Sequence, residues 1–116
     1  MTTKQLCLKE LTKEYVKCFH SKDLQGVASL LHETFVLEDP VVKRVSGKQA
    51  SLAVIDGLFK GCDKLSFKAR NIFEDGNTTI IEFELKLDDT TLTGTDIIEW
   101  DNGQMHEMRA YLDVPK

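Results

Sequence analysis

The second half of the chain alternates between apolar and polar residues in four consecutive runs, and this pattern constrains the fold more than any other feature. The runs cover about Leu65–Glu74, Thr78–Asp88, Thr91–Trp100 and Gln104–Leu112. Short turn sequences separate them, namely Asp75-Gly76-Asn77, Asp88-Asp89 and Asp101-Asn102-Gly103. Alternation with period two is typical of strands with one buried face, and such turns connect neighbouring antiparallel strands. The sequence therefore predicts a four-stranded antiparallel meander.

Helical periodicity marks the beginning of the chain. Apolar residues at spacings of three and four predict a first helix that ends near His20. The members of this stripe are Leu8, Leu11, Tyr15, Cys18 and Phe19. Ser21 is the predicted N-cap of a second helix, because serine side chains accept hydrogen bonds from the first free backbone N–H groups. The apolar face of that helix would carry Leu24, Val27, Ala28 and Leu31.

A short strand and a third helix are predicted before the meander. The strand runs from Thr34 to Asp39, and Pro40 should limit its pairing because proline has no backbone N–H. Ser46 and Gln49 have the spacing of a capping box, which predicts the start of a helix that Gly61 would end. Its buried residues would be Leu52, Ile55 and Phe59. Three helices followed by a meander predict an α+β domain with the helices on one face of the sheet.

No linker, repeat or low-complexity stretch interrupts the chain, so residues 1–116 are expected to form a single domain. The hydrophobic content of 41% and the charged content of 29% are ordinary for a globular protein. A net charge of −4 argues against nucleic-acid binding, which favours a clustered basic face. No apolar run approaches the roughly 20 residues of a membrane span, and residues 1–5 lack a signal-peptide pattern. The expected location is cytoplasmic, without membrane contact.

The cysteines and histidines are too scattered to predict a disulfide or a metal site. Cys7 and Cys18 are eleven residues apart on one predicted helix, about 16 Å, which is too far for a disulfide. No Cys-x-x-Cys pair occurs, and zinc sites need such clustered ligands. The histidines stand apart at His20, His32 and His106. The three cysteines, including Cys62, are expected to be buried and inert.

A carboxyl group stands on the apolar face of the third alternating run. Strand side chains alternate between faces, so Asp96 shares its face with four residues of that run. These are Leu92, Gly94, Ile98 and Trp100. A carboxylate on an apolar face is costly unless it is paired or protonated, which predicts a raised pKa for Asp96. Because Gly94 has no side chain, it is expected to leave room for a ligand beside this carboxyl.

Two further polar groups repeat this pattern. Tyr15 lies on the apolar stripe of the first helix, and Asp39 ends the alternating run that begins at Phe35. A structural role is the alternative for each, because core tyrosines can satisfy their hydroxyl with the backbone and Asp-Pro is a common turn dipeptide. If the sheet curls over the helices, all three groups would face one deep apolar pocket. Three such groups in one interior indicate a functional site.

Six stretches spread over most of the chain have a recognisable pattern. They are Tyr15-Val16-Lys17, Asp23-Leu24-Gln25-Gly26-Val27, Glu38-Asp39-Pro40-Val41, Ser46-Gly47, Asp96-Ile97-Ile98-Glu99-Trp100 and Met108-Arg109-Ala110. Together they resemble the nuclear transport factor 2-like superfamily, and within it the steroid delta-isomerase (ketosteroid isomerase) branch. Glu-Asp-Pro and Met-Arg-Ala also occur in the SnoaL-like polyketide cyclases. The resemblance implies a cystatin-like α+β fold, in which a curved, cone-like antiparallel sheet packs against three N-terminal helices.

The resemblance also implies a proton-transfer site. Asp39 matches the general base of the isomerases, and Tyr15 and Asp96 match their two oxyanion-hole donors. Asp39 would move a proton from the carbon alpha to a ketone to a conjugated carbon, while the donors stabilise the charge on the ketone oxygen. A small apolar ketone or a steroid-like ligand would lie in a slot lined by Ile81, Phe83, Leu92, Met108, Leu112 and Phe59. The resemblance implies neither a cofactor nor a metal.

Two departures from the isomerase pattern keep other functions open. One branch of isomerases has a second tyrosine on the third helix, and the comparable residue here is Ile55. The ending Ala110-Tyr111-Leu112-Asp113 is closer to the cyclase-like members. The first alternative is a polyketide cyclase that uses the same aspartate for aldol chemistry. The second is a non-catalytic module that binds a small ligand or mediates dimerisation.

A homodimer is expected on the same resemblance, because relatives commonly pair the outer faces of their curved sheets. In this chain that face would carry Ile80, Ile97, Thr93 and Thr95. A face of mixed polarity is compatible with a two-fold interface.

Overall fold

Three helices and six strands form the described part of the chain, which comprises residues 7–40 and 43–113 of a computed structural model. The helices are α1 (Leu8–His20), α2 (Leu24–Leu30) and α3 (Lys48–Lys60). The strands are β1 (Leu31–Asp39), β2 (Lys43–Ser46), β3 (Leu65–Asp75), β4 (Thr78–Leu87), β5 (Thr90–Asp101) and β6 (Gln104–Asp113). The N-terminal residues 1–5 and Val41, which entered the sequence analysis, lie outside the described residues.

The predicted meander is confirmed. Strands β3 to β6 pair antiparallel in succession, each within two residues of its predicted bounds. In the turn between β5 and β6, Asn102 and Gly103 have φ values of 51° and 79°. Two consecutive positive φ values are typical of the tight turn whose twist matches that of the flanking strands. Local sequence thus determines this half of the fold.

The complete sheet is mixed, whereas an antiparallel sheet was expected. Its strand order is β2-β1-β6-β5-β4-β3, and β1 pairs parallel with β6. On its other side β1 pairs antiparallel with β2, a strand that the sequence did not predict. Pro40 ends β1 as expected, but it does not deprive β1 of a partner on either side. The α+β class and the three helices packed on a curved, open sheet are confirmed.

Both predicted serine caps are wrong. The N-cap of α2 is Asp23, whose carboxylate accepts a hydrogen bond from the Gly26 backbone N–H at 3.0 Å. Ser21 instead ends α1 as its C-cap. The N-cap of α3 is Gly47, which has a φ of 100° and no side chain to accept a bond, while Ser46 is the last residue of β2. The predicted end of α3 at Gly61 is confirmed.

The strand register shifts in three of the pairings, which bends the sheet. Single-residue bulges lie at Arg70 in β3 and at His106 in β6, and the pairing of β1 with β6 shifts between Leu31 and Val36. A bulge inserts one residue on one strand and increases the local twist. Because of the second bulge, Met105 and Met108 are both buried although three positions separate them, while His106 is exposed. The bent sheet leaves a concave face for the helices.

A chain of three buried hydrogen bonds joins α1 to the sheet. The Trp100 Nε1–H donates to Thr79 Oγ1 at 2.9 Å, and Thr79 Oγ1 lies 2.9 Å from Thr12 Oγ1. The Thr12 hydroxyl in turn donates to the Leu8 carbonyl oxygen at 2.7 Å. Each hydroxyl has one hydrogen, so Thr79 donates to Thr12 and the chain is fully satisfied. These bonds fix the position of α1 across β4 and β5.

Replacing Thr79 with valine should lower the free energy of unfolding by about 1–3 kcal/mol. The substitution keeps the shape of the side chain, but it leaves the buried indole N–H of Trp100 without an acceptor. Urea unfolding followed by Trp100 fluorescence measures the change. Thr91→Val, at an exposed position of β5, is the control and should stay within about 0.5 kcal/mol of the wild type. An equally stable Thr79→Val protein would contradict the role given to this chain.

The cysteines differ from the expectation in their burial. All three are free thiols, but only Cys18 is buried, while Cys62 is half-buried and Cys7 is exposed at the N-cap of α1. Cys7 precedes the apolar stripe of that helix. In the described residues no helix is both long enough and apolar enough to cross a membrane.

The convex face of the sheet carries an apolar row across three strands. Phe73, Ile80 and Ile97 are paired across β3, β4 and β5, and Phe73 is 50% exposed. Thr93 and Thr95 are half-buried on the same face of β5. This placement agrees with the face chosen for a dimer interface, and the homodimer itself stays a prediction.

Candidate active site

A cavity of about 380 Å³ lies between α1, α3 and the concave face of the sheet. Most of its wall is apolar, and of the described residues that line it only three carry ionisable side chains. These three are Tyr15, Asp39 and Asp96. The apolar wall consists of Phe19, Leu37, Val54, Ile55, Leu58, Phe67, Phe83, Leu85, Leu87, Leu92, Met108, Ala110 and Leu112. The structure thus brings the three candidate residues from three separate elements to one cavity.

Tyr15 reaches the cavity from the buried face of α1. Only 1% of its surface is exposed, and its ring packs against Phe19 and Phe67 at centroid distances of 5.8 and 6.2 Å. Burial raises the pKa of the Tyr15 hydroxyl well above its usual value, and the nearby Asp96 raises it further. Tyr15 therefore holds its proton at neutral pH and can donate it in a hydrogen bond.

Asp96 enters the cavity from the middle of β5. The residue is 4% exposed, and it pairs with Ile81 on one neighbouring strand and with Ala110 on the other. Burial raises its pKa from 3.8 to about 8, with a further contribution from the negative charge of Asp39. The raised pKa predicted from the apolar face is confirmed in direction. At neutral pH this carboxyl is mostly protonated and can donate a hydrogen bond, as Tyr15 can.

Asp39 lies at the mouth of the same cavity. It is the last residue of β1, it is half-buried, and it also borders a surface depression of about 410 Å³ on the outer side. Glu38 pairs with Arg109, so Asp39 lies level with Ala110, whose other neighbour is Asp96. Two strand spacings separate the two aspartates, which is about 10 Å between Cα atoms. A ligand in the cavity can therefore lie between them.

Four of the six predicted apolar contacts line the cavity, and two do not. Phe83, Leu92, Met108 and Leu112 belong to the wall. Ile81 and Phe59 are buried elsewhere in the core, outside the lining. The Phe59 ring packs against Phe19 at a centroid distance of 5.0 Å, so it supports the wall from behind. The sequence pattern predicted the correct face of each element, but it did not predict which side chains on that face reach the cavity.

Helix α3 contributes a part of the cavity wall that the sequence pattern did not predict. Val54, Ile55 and Leu58 all face the cavity, and only Ile55 had been considered as a residue of the site. Spacings of three and four along α3 would have found the pair Val54 and Leu58. An apolar α3 wall strengthens the water-excluding character of the cavity.

Gly94 serves packing, contrary to the expectation that it leaves room for a ligand. A Cβ atom at this position would lie 2.4 Å from the Tyr111 carbonyl oxygen and 2.9 Å from Phe83 Cζ. The space beside Gly94 is therefore filled by the backbone of β6 and by the ring of Phe83. That ring occupies the cavity wall because no side chain displaces it.

Comparison with known proteins identifies the family. The sequence matches the SnoaL-like domain over residues 12–108, and the chain therefore belongs to the SnoaL-like family within the nuclear transport factor 2-like superfamily. Among curated proteins the sequence has no match. In the described residues no group of three or more His, Cys, Asp or Glu side chains is arranged to hold a metal ion.

Solved structures share the fold at low sequence identity. A nuclear transport factor 2-like protein of unknown function from Cytophaga hutchinsonii is 14% identical, with a TM-score of 0.83 over 97% of this chain and 95% of that chain. A candidate ketosteroid isomerase from Kribbella flavida is 18% identical, with a TM-score of 0.80 over 92% and 78%. A candidate SnoaL-like polyketide cyclase from Shewanella denitrificans is 16% identical, with a TM-score of 0.78 over 90% and 89%. Identities this low establish the fold alone.

Proposed function

We propose that this protein is an isomerase of the ketosteroid isomerase type, which moves a proton alpha to a ketone through an enolate. One observation carries the proposal: a buried aspartic acid with a pKa near 8 shares an apolar cavity with a buried tyrosine and a second aspartate. In ketosteroid isomerases one aspartate is the base, and another is kept neutral by its apolar surroundings so that it can donate a hydrogen bond. The candidate isomerase from Kribbella flavida has the same fold.

The reaction needs one base and two donors. The Asp39 carboxylate removes a proton from the carbon alpha to the ketone, and the electron pair of that C–H bond moves towards the carbonyl oxygen. Tyr15 and neutral Asp96 donate hydrogen bonds to this oxygen, where the negative charge develops. Asp39 then returns the proton to the conjugated carbon, so the double bond has moved and no proton is lost.

The apolar wall makes these groups effective. A cavity of about 380 Å³ lies at the lower end of the size range of small-molecule sites, about 300–1,000 Å³. Exclusion of water lowers the local dielectric, which strengthens hydrogen bonds to a charged oxygen. A flat apolar ketone fits these requirements, because its body can contact the wall while its oxygen approaches Tyr15 and Asp96.

A second candidate function is cyclisation of a polyketide by an aldol reaction. The match to the SnoaL-like domain favours it, and Ile55 stands in the cavity wall where one branch of isomerases has a supporting tyrosine. The same base and donors would form and stabilise an enolate, which would then attack a second carbonyl of the same substrate. The two reactions therefore differ after enolate formation and not in the residues that form it.

Binding of an enolate mimic tests the oxyanion site apart from turnover. A nitrophenolate that is ionised from about pH 6 to about pH 9.5 should bind wild-type protein below pH 8 and lose affinity above it. The reason is that Asp96 changes from a neutral donor to a carboxylate that repels the ligand oxygen. Asp96→Asn, whose amide donates at every pH, should bind without this loss. Absorbance titration of the phenolate measures both.

Asp96→Leu is the third protein to compare, because leucine cannot donate a hydrogen bond to the phenolate oxygen. Its affinity for the phenolate at pH 7 should be lower than that of wild type or of Asp96→Asn, and Tyr15→Phe should weaken binding in the same way. Equal affinity in Asp96→Leu would refute the oxyanion assignment. Isomerisation of a 5-ene-3-ketosteroid, compared with cyclisation of a linear polyketide mimic, then separates the two candidate reactions.

A further inference from the structure

A second concave surface lies on the other side of the cavity wall, between α1 and the edge strand β3. This basic groove, of about 830 Å³, shares only Phe67 with the lining of the active-site cavity. Its floor is formed by apolar and small residues, and its rim is formed by cationic side chains. The lining consists of Lys9, Lys13, Val16, Lys17, His20, Phe67, Lys68, Ala69, Arg70, Asn71 and Ile72.

The groove gathers positive charge in an acidic protein. Five of the fifteen Lys and Arg residues line it, and none of the described residues in its lining is acidic, although the whole chain has a net charge of −4. Lys13 forms an exposed ion pair with Glu10 at 3.1 Å. Such exposed pairs contribute little stability, so this pair does not account for the cluster. Like charges repel one another, and a bound anionic partner would relieve the repulsion.

Protection of the sheet edge explains only part of this arrangement. Edge strands often carry charges and bulges that prevent pairing with other chains. Lys68 and the bulged Arg70 fit that role. The three lysines of α1 do not lie on the edge strand, yet they complete the same rim. The groove also retains an apolar floor, with Val16 and Ile72 half-buried.

The spacing of the α1 lysines matches an extended peptide. Lys9, Lys13 and Lys17 follow one another at four residues, which places them about 6 Å apart along the helix axis. Alternate side chains of an extended chain point to the same side and repeat every 6.6–6.8 Å or so. A segment that alternates acidic and apolar residues would therefore place carboxylates near the lysines and apolar side chains on the floor.

We propose that the basic groove binds an extended acidic segment of a partner protein, in which carboxylates alternate with apolar side chains. Nucleic acid fits less well. Single strands are held by aromatic side chains on which bases stack. Among the described residues of the groove, Phe67 is the one aromatic ring apart from His20, and only 3% of its surface is exposed.

Fluorescence anisotropy with a labelled peptide of alternating glutamate and leucine tests the proposal. The double variant Lys9→Glu/Lys17→Glu should weaken binding at least about 10-fold, since it replaces two attractive contacts with two repulsive ones. The matched control Lys64→Glu/Lys86→Glu changes the net charge equally at exposed positions outside the groove, and it should stay within about 2-fold. Circular dichroism and phenolate binding check that both variants fold.

Two further probes make the outcome decisive. A peptide that alternates glutamate with serine should bind at least about 10-fold more weakly than the leucine peptide, because it leaves the apolar floor uncovered. A labelled oligothymidylate should bind more weakly than the leucine peptide at the same salt concentration. The proposal is overturned if the groove and control variants lose affinity equally, if the serine peptide binds as well, or if the oligothymidylate binds more tightly.

Discussion

Asp39→Asn should lower turnover of an enolisable ketone by about 10²–10⁴ or more and leave the fold intact. The amide has nearly the same size and shape as the carboxyl, but it cannot accept the substrate proton. Asp39 lies at the cavity mouth, level with the strand position that faces Asp96. Among the described residues that line the cavity the other carboxyl group is Asp96, and burial keeps it mostly protonated at neutral pH, so it does not replace Asp39 as a base. Steady-state kinetics with a 5-ene-3-ketosteroid measure the loss.

Binding of the phenolate separates loss of the base from loss of the site. Asp39→Asn should bind it at least as tightly as wild type, because the substitution removes a negative charge near the ligand oxygen. Glu38→Gln is the matched control: it changes the neighbouring carboxylate of β1, which pairs with Arg44 at 2.9 Å on the exposed side. Its turnover should equal that of the wild type. Turnover of Asp39→Asn within about 3-fold of wild type would exclude Asp39 as the base.

The meander was predictable because its information is local. Alternation defined each strand, and turn residues such as Asn102-Gly103 defined where the chain reverses. Each hairpin joins residues that are close in sequence, so a single stretch contains both partners. The same holds for α1, whose stripe and end at His20 are confirmed.

The parallel pairing of β1 with β6 could not be predicted in this way, because it joins strands that are far apart in the sequence. Leu37 pairs with Met108, which is more than half the chain away. The sequence around either residue does not indicate which strand it pairs with. Strand β2 is only four residues long, Lys43–Ser46, with charged residues and no alternation of apolar ones. The sequence therefore carried no signal for it. It forms because β1 leaves an edge that a returning segment can pair with.

The helix caps failed because several residues near each start could act as the cap. Ser21 and Asp23 are both good N-cap residues, and which of them caps α2 depends on where α1 ends. Lys22 adopts a φ of 55° between them, so the second helix begins at Leu24. At α3 the turn out of β2 requires a positive φ, which glycine adopts without strain, so Gly47 occupies the N-cap position.

Polar groups on apolar faces of the predicted elements indicated the candidate site. The alternation of side chains along the strands predicted only part of the cavity wall. Tyr15 and Asp96 stood out because each places a polar group on an apolar face, and both are buried beside the cavity. Ile81 pairs with Asp96 and lies on the same face of the sheet, yet it is buried in the core and does not line the cavity. The periodicity of a sequence predicts the direction in which a side chain leaves the backbone. Whether that side chain reaches the cavity depends on how α1 and α3 lie on the sheet.

The stability of the protein should fall between about pH 4 and pH 8 through Asp96. In the unfolded chain this carboxyl ionises near its ordinary pKa of about 3.9. In the folded protein burial, with the charge of Asp39, raises the pKa to about 8. Between these values the native state holds a proton that the unfolded state has released, so rising pH favours unfolding. The contribution is fully present below about pH 4, and it is lost as pH rises through 8.

Asp96→Asn and Asp96→Leu should both remove this pH dependence, because neither side chain ionises. The free energy of unfolding of each variant, relative to wild type, should increase by on the order of 5 kcal/mol between pH 4 and pH 8. That change is comparable with the whole stability of a small domain, about 5–15 kcal/mol. At neutral pH Asp96→Leu should be as stable as wild type or more stable, since it also removes a polar group from an apolar wall.

Urea unfolding at a series of pH values measures the difference in stability between wild type and each variant. In this difference the contributions of titrating groups that do not interact with Asp96 cancel. Asp101→Asn removes an exposed carboxyl from the end of the same strand and should retain the wild-type pH dependence. If Asp96→Asn and wild type lose stability in parallel from pH 4 to pH 8, then Asp96 is ionised in the folded protein at neutral pH. A carboxylate there could not donate to an enolate oxygen, and the proposed chemistry would fail with it, because the oxyanion site needs both donors protonated.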